Sequence, residues 1–287
     1  MQPWKALSGI WRGKTQAGRG YSTEMRAACT PDDICAGGVD SPMAVILYGV
    51  HPVCEALKKR PHAFKRLVLA RKGGDAEIRN IIRLAEASHL TIFRDVPKNL
   101  SRLARTDQHQ GVVAEVDPFP LVDFEQLMEE GGCRPEKAFF LVLDSLQDPH
   151  NVGSLLRSAV CSGVQAVLFP RDRAAGLTAA VAKASAGAIE HVPLCRVVNI
   201  AQALERLRRE GIWIVGTSPH STRTMYEFDF TLAAAIVVGS ESKGIRPLVQ
   251  QKCDALVSIP LQGDFDSLNA AVAGAVVLFE AMRQRVR

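Results

Sequence analysis

Residues 139–157 read FFLVLDSLQDPHNVGSLLR. The opening run FFLVL is apolar at every position, the pattern of a short strand buried on both faces. From Val152 the period changes. Val152, Leu155, Leu156, Ala159 and Val160 fall at i, i+3, i+4, i+7 and i+8, one face of a helix. A strand feeding an amphipathic helix begins a βαβ unit, and the chain repeats it downstream. Candidate strands lie at 165–169 (QAVLF), 191–194, 212–215 (IWIV), 234–238 (AAIVV) and 255–259 (ALVSI), with helices at 152–162, 177–186, 200–209 and 267–283. The fold predicted for 138–287 is α/β, a parallel sheet covered on both faces. In such sheets ligands sit beyond the carboxyl ends of the strands, so the loops after the strands are where chemistry is sought.

Upstream, 44–117 reads as a second, smaller α/β domain. Val50, Val53, Cys54 and Leu57 share one helical face, and Ile78, Ile81, Ile82 and Ala85 another. Short strands are expected at 66–70, 90–93 and 111–116, with a helix at 97–104 opened by Pro97. Residues 118–137, starting just after Asp117 with PFP and continuing acidic and Gly-rich, read as a linker. Residues 1–43 lack sustained periodicity and carry only basic charges before Glu24. They fit a disordered leader, a transit peptide, or a start site placed ahead of Met43.

The whole chain, 287 residues with 47% hydrophobic and 23% charged, has globular composition, and no apolar stretch reaches membrane-spanning length. Seven scattered cysteines without a CxxC argue against a disulfide framework and a zinc site, and fit a cytoplasmic protein. The net charge is +5, and its placement says more than its size. Residues 44–117 hold thirteen Lys and Arg against eight Asp and Glu, while 118–287 hold seventeen against eighteen. The excess in the small domain fits either a polyanion partner such as RNA or a solvated basic surface.

Three post-strand loops stand out. The first contains Asn151, Gly153 and Arg157. At about 100° per residue Gly153 and Arg157 share an edge of the helix, which leaves room for a ligand near the guanidinium; alternatively Asn151 is an N-cap and Arg157 a solvated side chain. The second, 239–244 (GSESKG), has phosphate-loop glycine spacing, yet Ile245 stands where that loop needs Lys. It leaves a glycine-bounded turn presenting Glu241. The third, 259–269 (IPLQGDFDSLN), opens a last helix that is apolar on almost every side, as expected for burial in the core or against another subunit. Ser267 is its natural N-cap, which leaves Asn269, a poor helix former, unexplained. Dinucleotide fingerprints, a nucleophile elbow and HExxH are absent from the sequence, and His150 and His220 read as isolated loop residues.

Taken in order, Asn151/Gly153/Arg157, Gly239/Glu241/Gly244 and Ile259/Pro260/Leu261/Gly263/Ser267/Leu268/Asn269 resemble the three motifs of the SpoU (TrmH-type) RNA ribose 2′-O-methyltransferases of the SPOUT class. Residues 44–117, with YGVHPVCEAL at 48–57, resemble the substrate-binding domain of the ribosomal-RNA branch, a small RNA-binding fold of ribosomal-protein type. The chain departs from the family at Ala270-Ala271, where Val-Ser is frequent, and in Asp264 and Asp266, which lie outside the core motif.

The resemblance implies a SPOUT domain with a deep trefoil knot, a homodimer, S-adenosyl-L-methionine as cofactor and no metal. It implies donor binding by backbone groups at Gly239, Ile259, Leu261 and Leu268, and chemistry around Asn151, Arg157, Glu241, Ser267 and Asn269. RNA phosphates would meet Lys58, Lys59, Arg60, Lys65, Arg66, Arg71 and Lys72. The expected substrate is a guanosine of large-subunit ribosomal RNA. The alternatives are a transfer RNA, or RNA binding without catalysis on the same fold.

Overall fold

The computed structural model describes residues 44–70, 75–129, 137–172, 175–263 and 266–286. Two sheets organise them, and residues 43–287 pack as one compact unit.

The first sheet has the order β1-β4-β2-β3, from β1 (Val45–Tyr48), β2 (Phe64–Ala70), β3 (Ile92–Asp95) and β4 (Val112–Val116). β4 runs antiparallel to both β1 and β2, and β3 is parallel to β2. A register shift between Phe64 and Arg66 leaves Lys65 and Arg66 both facing water, although successive strand residues normally alternate. Helices α1 (Val50–Lys59) and α2 (Ala76–Ala87) cover one face, and α3 (Pro97–Ala104) sits on the other with Leu100 against Val68 and Val113. Phe119 is buried, Val122 bridges to Cys195, and α4 (Phe124–Glu129) packs on the second sheet. The described part of the expected linker is therefore packed against its neighbours.

The second sheet is wholly parallel, in the order β10-β8-β9-β5-β6-β7. Its strands are β5 (Phe139–Asp144), β6 (Ala166–Pro170), β7 (Leu194–Val197), β8 (Trp213–Thr217), β9 (Ala234–Gly239) and β10 (Ala255–Val257). Every side chain of β5 is buried, and its residues alternate between two cores: Phe139, Leu141 and Leu143 face α5 (Pro149–Ser162) and α9 (Ala270–Arg285), while Phe140 and Val142 face α7 (Ile200–Arg209) and α8 (Pro247–Gln250). The β5 run is apolar throughout because both faces are covered. α6 (Ala179–Ala184) completes the β6–β7 connection beside α5. From β5 the chain builds outward through β6 and β7, then returns on the other side of β5 with β8 and β9. The switch in direction places a crevice between the ends of β5 and β9, where Asp144 pairs in register with Gly239.

Several boundaries differ from the sequence reading. The strand expected at 191–194 forms at 194–197, beyond Pro193. The last helix begins at Ala270, capped by Asn269 and not by Ser267: the Asn269 Oδ1 accepts from the Ala271 and Val272 amides at 2.9 and 3.2 Å. α5 begins at Pro149, with Asp148 as the cap, so Asn151 lies inside its first turn and is not the N-cap.

Candidate active site

Each of the three loops delivers one polar side chain to a common point beyond the sheet edge. Asn151 projects from the first turn of α5, Glu241 from the turn after β9, and Asn269 from the cap of α9. Asn151 donates through Nδ2 to the Glu241 carboxylate and, at 2.8 Å, to Asp148. Asn269 donates through Nδ2 to Asn151 Oδ1 at 3.0 Å and to Glu241 Oε1 at 3.3 Å. Residues 118 positions apart in sequence are thus joined directly. The place of Asn269, outside the apolar pattern of the last helix, now has a reason: its oxygen caps α9 while its nitrogen reaches the cluster.

The turn carrying Glu241 is pinched closed by paired bonds, Ser240 N to Gly244 O at 3.1 Å and Gly244 N to Ser240 O at 2.8 Å. A Cβ on Gly239 would lie 2.2 Å from the Gly244 carbonyl carbon, so only glycine lets this turn fold back on the strand end. Asp144 holds the turn from below. Its carboxylate is 0% exposed and accepts from the Arg246 backbone amide at 2.8 Å and from Nε at 2.7 Å, with a further guanidinium nitrogen at 2.6 Å. Sequence reading missed Asp144, although a carboxylate ending a fully apolar strand was the available signal. It also missed Asp148, whose Oδ1 accepts from the His150 amide at 3.1 Å. These bonds to Asn151 and His150 hold the Asp148 carboxyl below the usual carboxylate range.

Two expected members stand apart. Arg157 is exposed on α5, six residues and about 9 Å along the helix from Asn151, and no bond joins it to the cluster among the described residues. Ser267 is exposed and likewise unjoined. The space read beneath Arg157 is filled. A Cβ on Gly153 would lie 2.4 Å from the Ala184 Cβ and 2.8 Å from the Ser185 amide, so this glycine serves close packing of α5 on α6, not ligand access.

The loop after β10 carries Leu261 and Leu268, where the resemblance places donor binding. Leu261 and Leu268 are 37% and 39% exposed, an apolar rim. Among the described residues the backbone amides of Ile259, Leu261, Gly263 and Leu268 make no hydrogen bond to the protein. Apolar walls with free backbone donors and acceptors fit a base and a ribose. No group of three His, Cys, Asp or Glu among the described residues is placed to hold a metal ion, and no described helix is long and apolar enough to cross a membrane.

Of the basic side chains expected at RNA, Arg60 is misassigned. It is 7% exposed, its guanidinium grips Glu190 at 2.7 and 2.9 Å and the Asp117 carbonyl at 2.7 Å, and it lies 4.9 Å from the Phe119 ring centroid. Every face of that cation is used inside the protein. Lys59 is exposed, Lys58 and Lys65 make exposed pairs with Glu55 and Asp117, and Arg66 covers the Phe93 ring. Arg71 and Lys72 lie outside the described residues.

Three loops converging on one polar cluster at the switch point of a doubly covered parallel sheet are the arrangement in which α/β enzymes bind their ligands, at the strand ends. Known proteins make the assignment specific. Residues 138–279 match the SpoU rRNA Methylase family, and 46–122 match the family described as RNA 2′-O ribose methyltransferase substrate binding. A Bacillus subtilis protein assigned to the TrmH family of tRNA/rRNA methyltransferases (YacO) is 40% identical over 83% of this chain and 94% of its own length. The 23S rRNA (guanosine-2′-O-)-methyltransferase RlmB of Shewanella oneidensis is 40% identical over 84% of this chain and 97% of its own. The SpoU methyltransferase AviRb of Streptomyces viridochromogenes, crystallised with AdoMet, superposes with a TM-score of 0.71 at 27% identity, covering 85% of this chain and 91% of that one. The chain belongs to the SpoU rRNA methylase family.

Proposed function

We propose that the protein transfers a methyl group from S-adenosylmethionine to the ribose 2′-hydroxyl of a guanosine in large-subunit ribosomal RNA. The observation that carries this reading is the meeting of Asn151, Glu241 and Asn269, one from each loop. The substrate follows RlmB and its like among the relatives.

Bound S-adenosylmethionine supplies an electrophilic methyl on a sulfonium. The protein's task is to align a weakly nucleophilic hydroxyl with that carbon, and alignment is the larger contribution: effective molarities of well-oriented reactants far exceed the roughly 10²–10⁴-fold typical of general-base help. The amide pair of Asn151 and Asn269 fixes the three loops against one another where the ribose would lie, and the Glu241 carboxylate both ties the pair together and favours positive charge nearby. Arg157 stays protonated, which suits it to a phosphate contact better than to proton abstraction. Ser267, exposed at the same edge, contributes its hydroxyl once RNA is bound. Lys58, Lys59, Lys65, Arg66, Arg71 and Lys72 position RNA through its phosphates.

The same reading includes a cytoplasmic homodimer with a threaded C-terminal segment. α9 buries Ala270, Ala271, Gly274, Val277 and Leu278, yet leaves Val272 and Phe279 49% and 42% exposed. That remaining apolar stripe suits a second copy, and Phe279→Asp should shift the dimer to monomer in sedimentation velocity.

Purified protein with radiolabelled S-adenosylmethionine and total RNA tests the function. Label in the large-subunit RNA is expected. Label in small RNA moves the substrate to transfer RNA, and none in any RNA supports a binding factor. Arg157→Ala should abolish transfer while keeping donor binding; surviving activity would displace the chemistry from this edge.

A further inference from the structure

We propose that Asp148 is a positioning residue for the transfer step: by taking the second Nδ2 hydrogen of Asn151 it fixes the position of an amide that Glu241 and Asn269 orient. An asparagine amide has nearly the same shape either way round, and only its partners choose. Both carboxylates beside Asn151 are acceptors. Asp148 Oδ2 takes one Nδ2 hydrogen at 2.8 Å and Glu241 takes the other. Oδ1 is thereby directed at Asn269, whose Nδ2 donates to it at 3.0 Å. Asn269 is fixed independently, because its own oxygen is held by the Ala271 and Val272 amides. Two helix caps therefore lock one amide pair from opposite ends.

Asp148 uses its two oxygens for two different tasks. Oδ1 caps α5 through the His150 amide at 3.1 Å, while Oδ2 holds Asn151. Serine caps a helix about as well as aspartate but has one oxygen, so capping alone does not call for a carboxylate here. Glu241, the other acceptor, rides on an exposed turn and accepts from both amides at once. Without Asp148, the Asn151 nitrogen keeps a single acceptor, and that acceptor is shared with Asn269.

This inference rests on the methyl-transfer reading, and the tests separate the two. Asp148→Ser keeps the cap and removes the second acceptor; Asp148→Asn keeps the cap and sets an NH2 against the Asn151 NH2. For both, the thermal midpoint and S-adenosylmethionine affinity should stay near wild type, while the single-turnover transfer rate falls about 10- to 100-fold, the scale of a small misplacement. In an Asn151→Ala background the same changes should have no further effect. Wild-type rates in Asp148→Ser, or an equal loss in both backgrounds, overturn the proposal and leave Asp148 a cap. If the wild-type protein methylates no RNA, the functional reading fails, and NMR of the Asn151 side-chain amide still decides this one. The proton that faces Asp148 should resonate downfield in wild type and move upfield in Asp148→Ser; an unchanged shift would overturn it.

Discussion

A carboxylate with no exposure is tolerable only when its partners replace water, and Asp144 meets that condition with three nitrogens of Arg246. Asp144→Ala leaves a solvent-reachable Arg246 guanidinium but takes the acceptor from its backbone amide, which costs about 1–3 kcal/mol; urea denaturation should show a loss of that order. Asp148 is half-buried, and its effect is read through pH. Its carboxyl is held low by the Asn151 and His150 bonds, so the charged form is favoured in the folded state. The interaction is complete above the ordinary aspartate value of about 3.9 and is lost as pH falls through the lower folded value. The carboxyl carbon of Asp148, followed by NMR, should titrate below an unstructured aspartate. Neither residue was singled out in advance. Asn151, Glu241 and Asn269 could be picked out because their three loops, taken in order, resemble the family's motifs, whereas Asp144 and Asp148 work by touching residues far along the chain or by a cap whose position depends on where the helix begins.

Helix starts are where element-scale reading went astray, and the error has energetic content. Ser267 is a good cap by residue type, but the helix starts later than Leu268, and Asn269 takes the role with an oxygen to two amides. Loss of a cap costs about 0.5–2 kcal/mol, so Asn269→Ala should lower stability by that amount as well as impairing transfer. Ser267→Ala, at an exposed site outside the helix, should change stability by no more than about 0.5 kcal/mol. A thermal shift in the serine variant as large as that in the asparagine variant would return the cap to Ser267. Most strands were legible as short apolar runs between loops, but β1 at Val45–Tyr48 was not read and β7 was placed three residues early. Gly153 was placed on the right helix edge and given the wrong neighbour, since periodicity shows which residues share a face but not what packs on it.

At the scale of the molecule, one hydrophobic core runs from the first sheet through α5 and α9 to the second. The polar contacts along this seam are equally specific: Arg60 with Glu190, His191 with Glu55 at 2.6 Å, and Lys183 Nζ with Gln110 at 2.6 Å, where burial pulls the Lys183 ammonium below the usual lysine range. A basic segment read from sequence cannot separate cations that face RNA from one that fastens two sheets, because both are Lys or Arg in a run. The distinction is measurable. Removing one cation from an RNA phosphate lowers the slope of log K against log salt by about one, and truncating an exposed lysine leaves the fold intact. Lys59→Ala should therefore reduce the salt dependence of RNA binding without moving the thermal midpoint. Arg60→Ala should do the reverse, keeping the slope while costing about 3–5 kcal/mol of stability, since it strands Glu190 at the seam. If Arg60→Ala instead flattened the salt slope at unchanged stability, the guanidinium would be an RNA contact and the seam would be held by its apolar core alone.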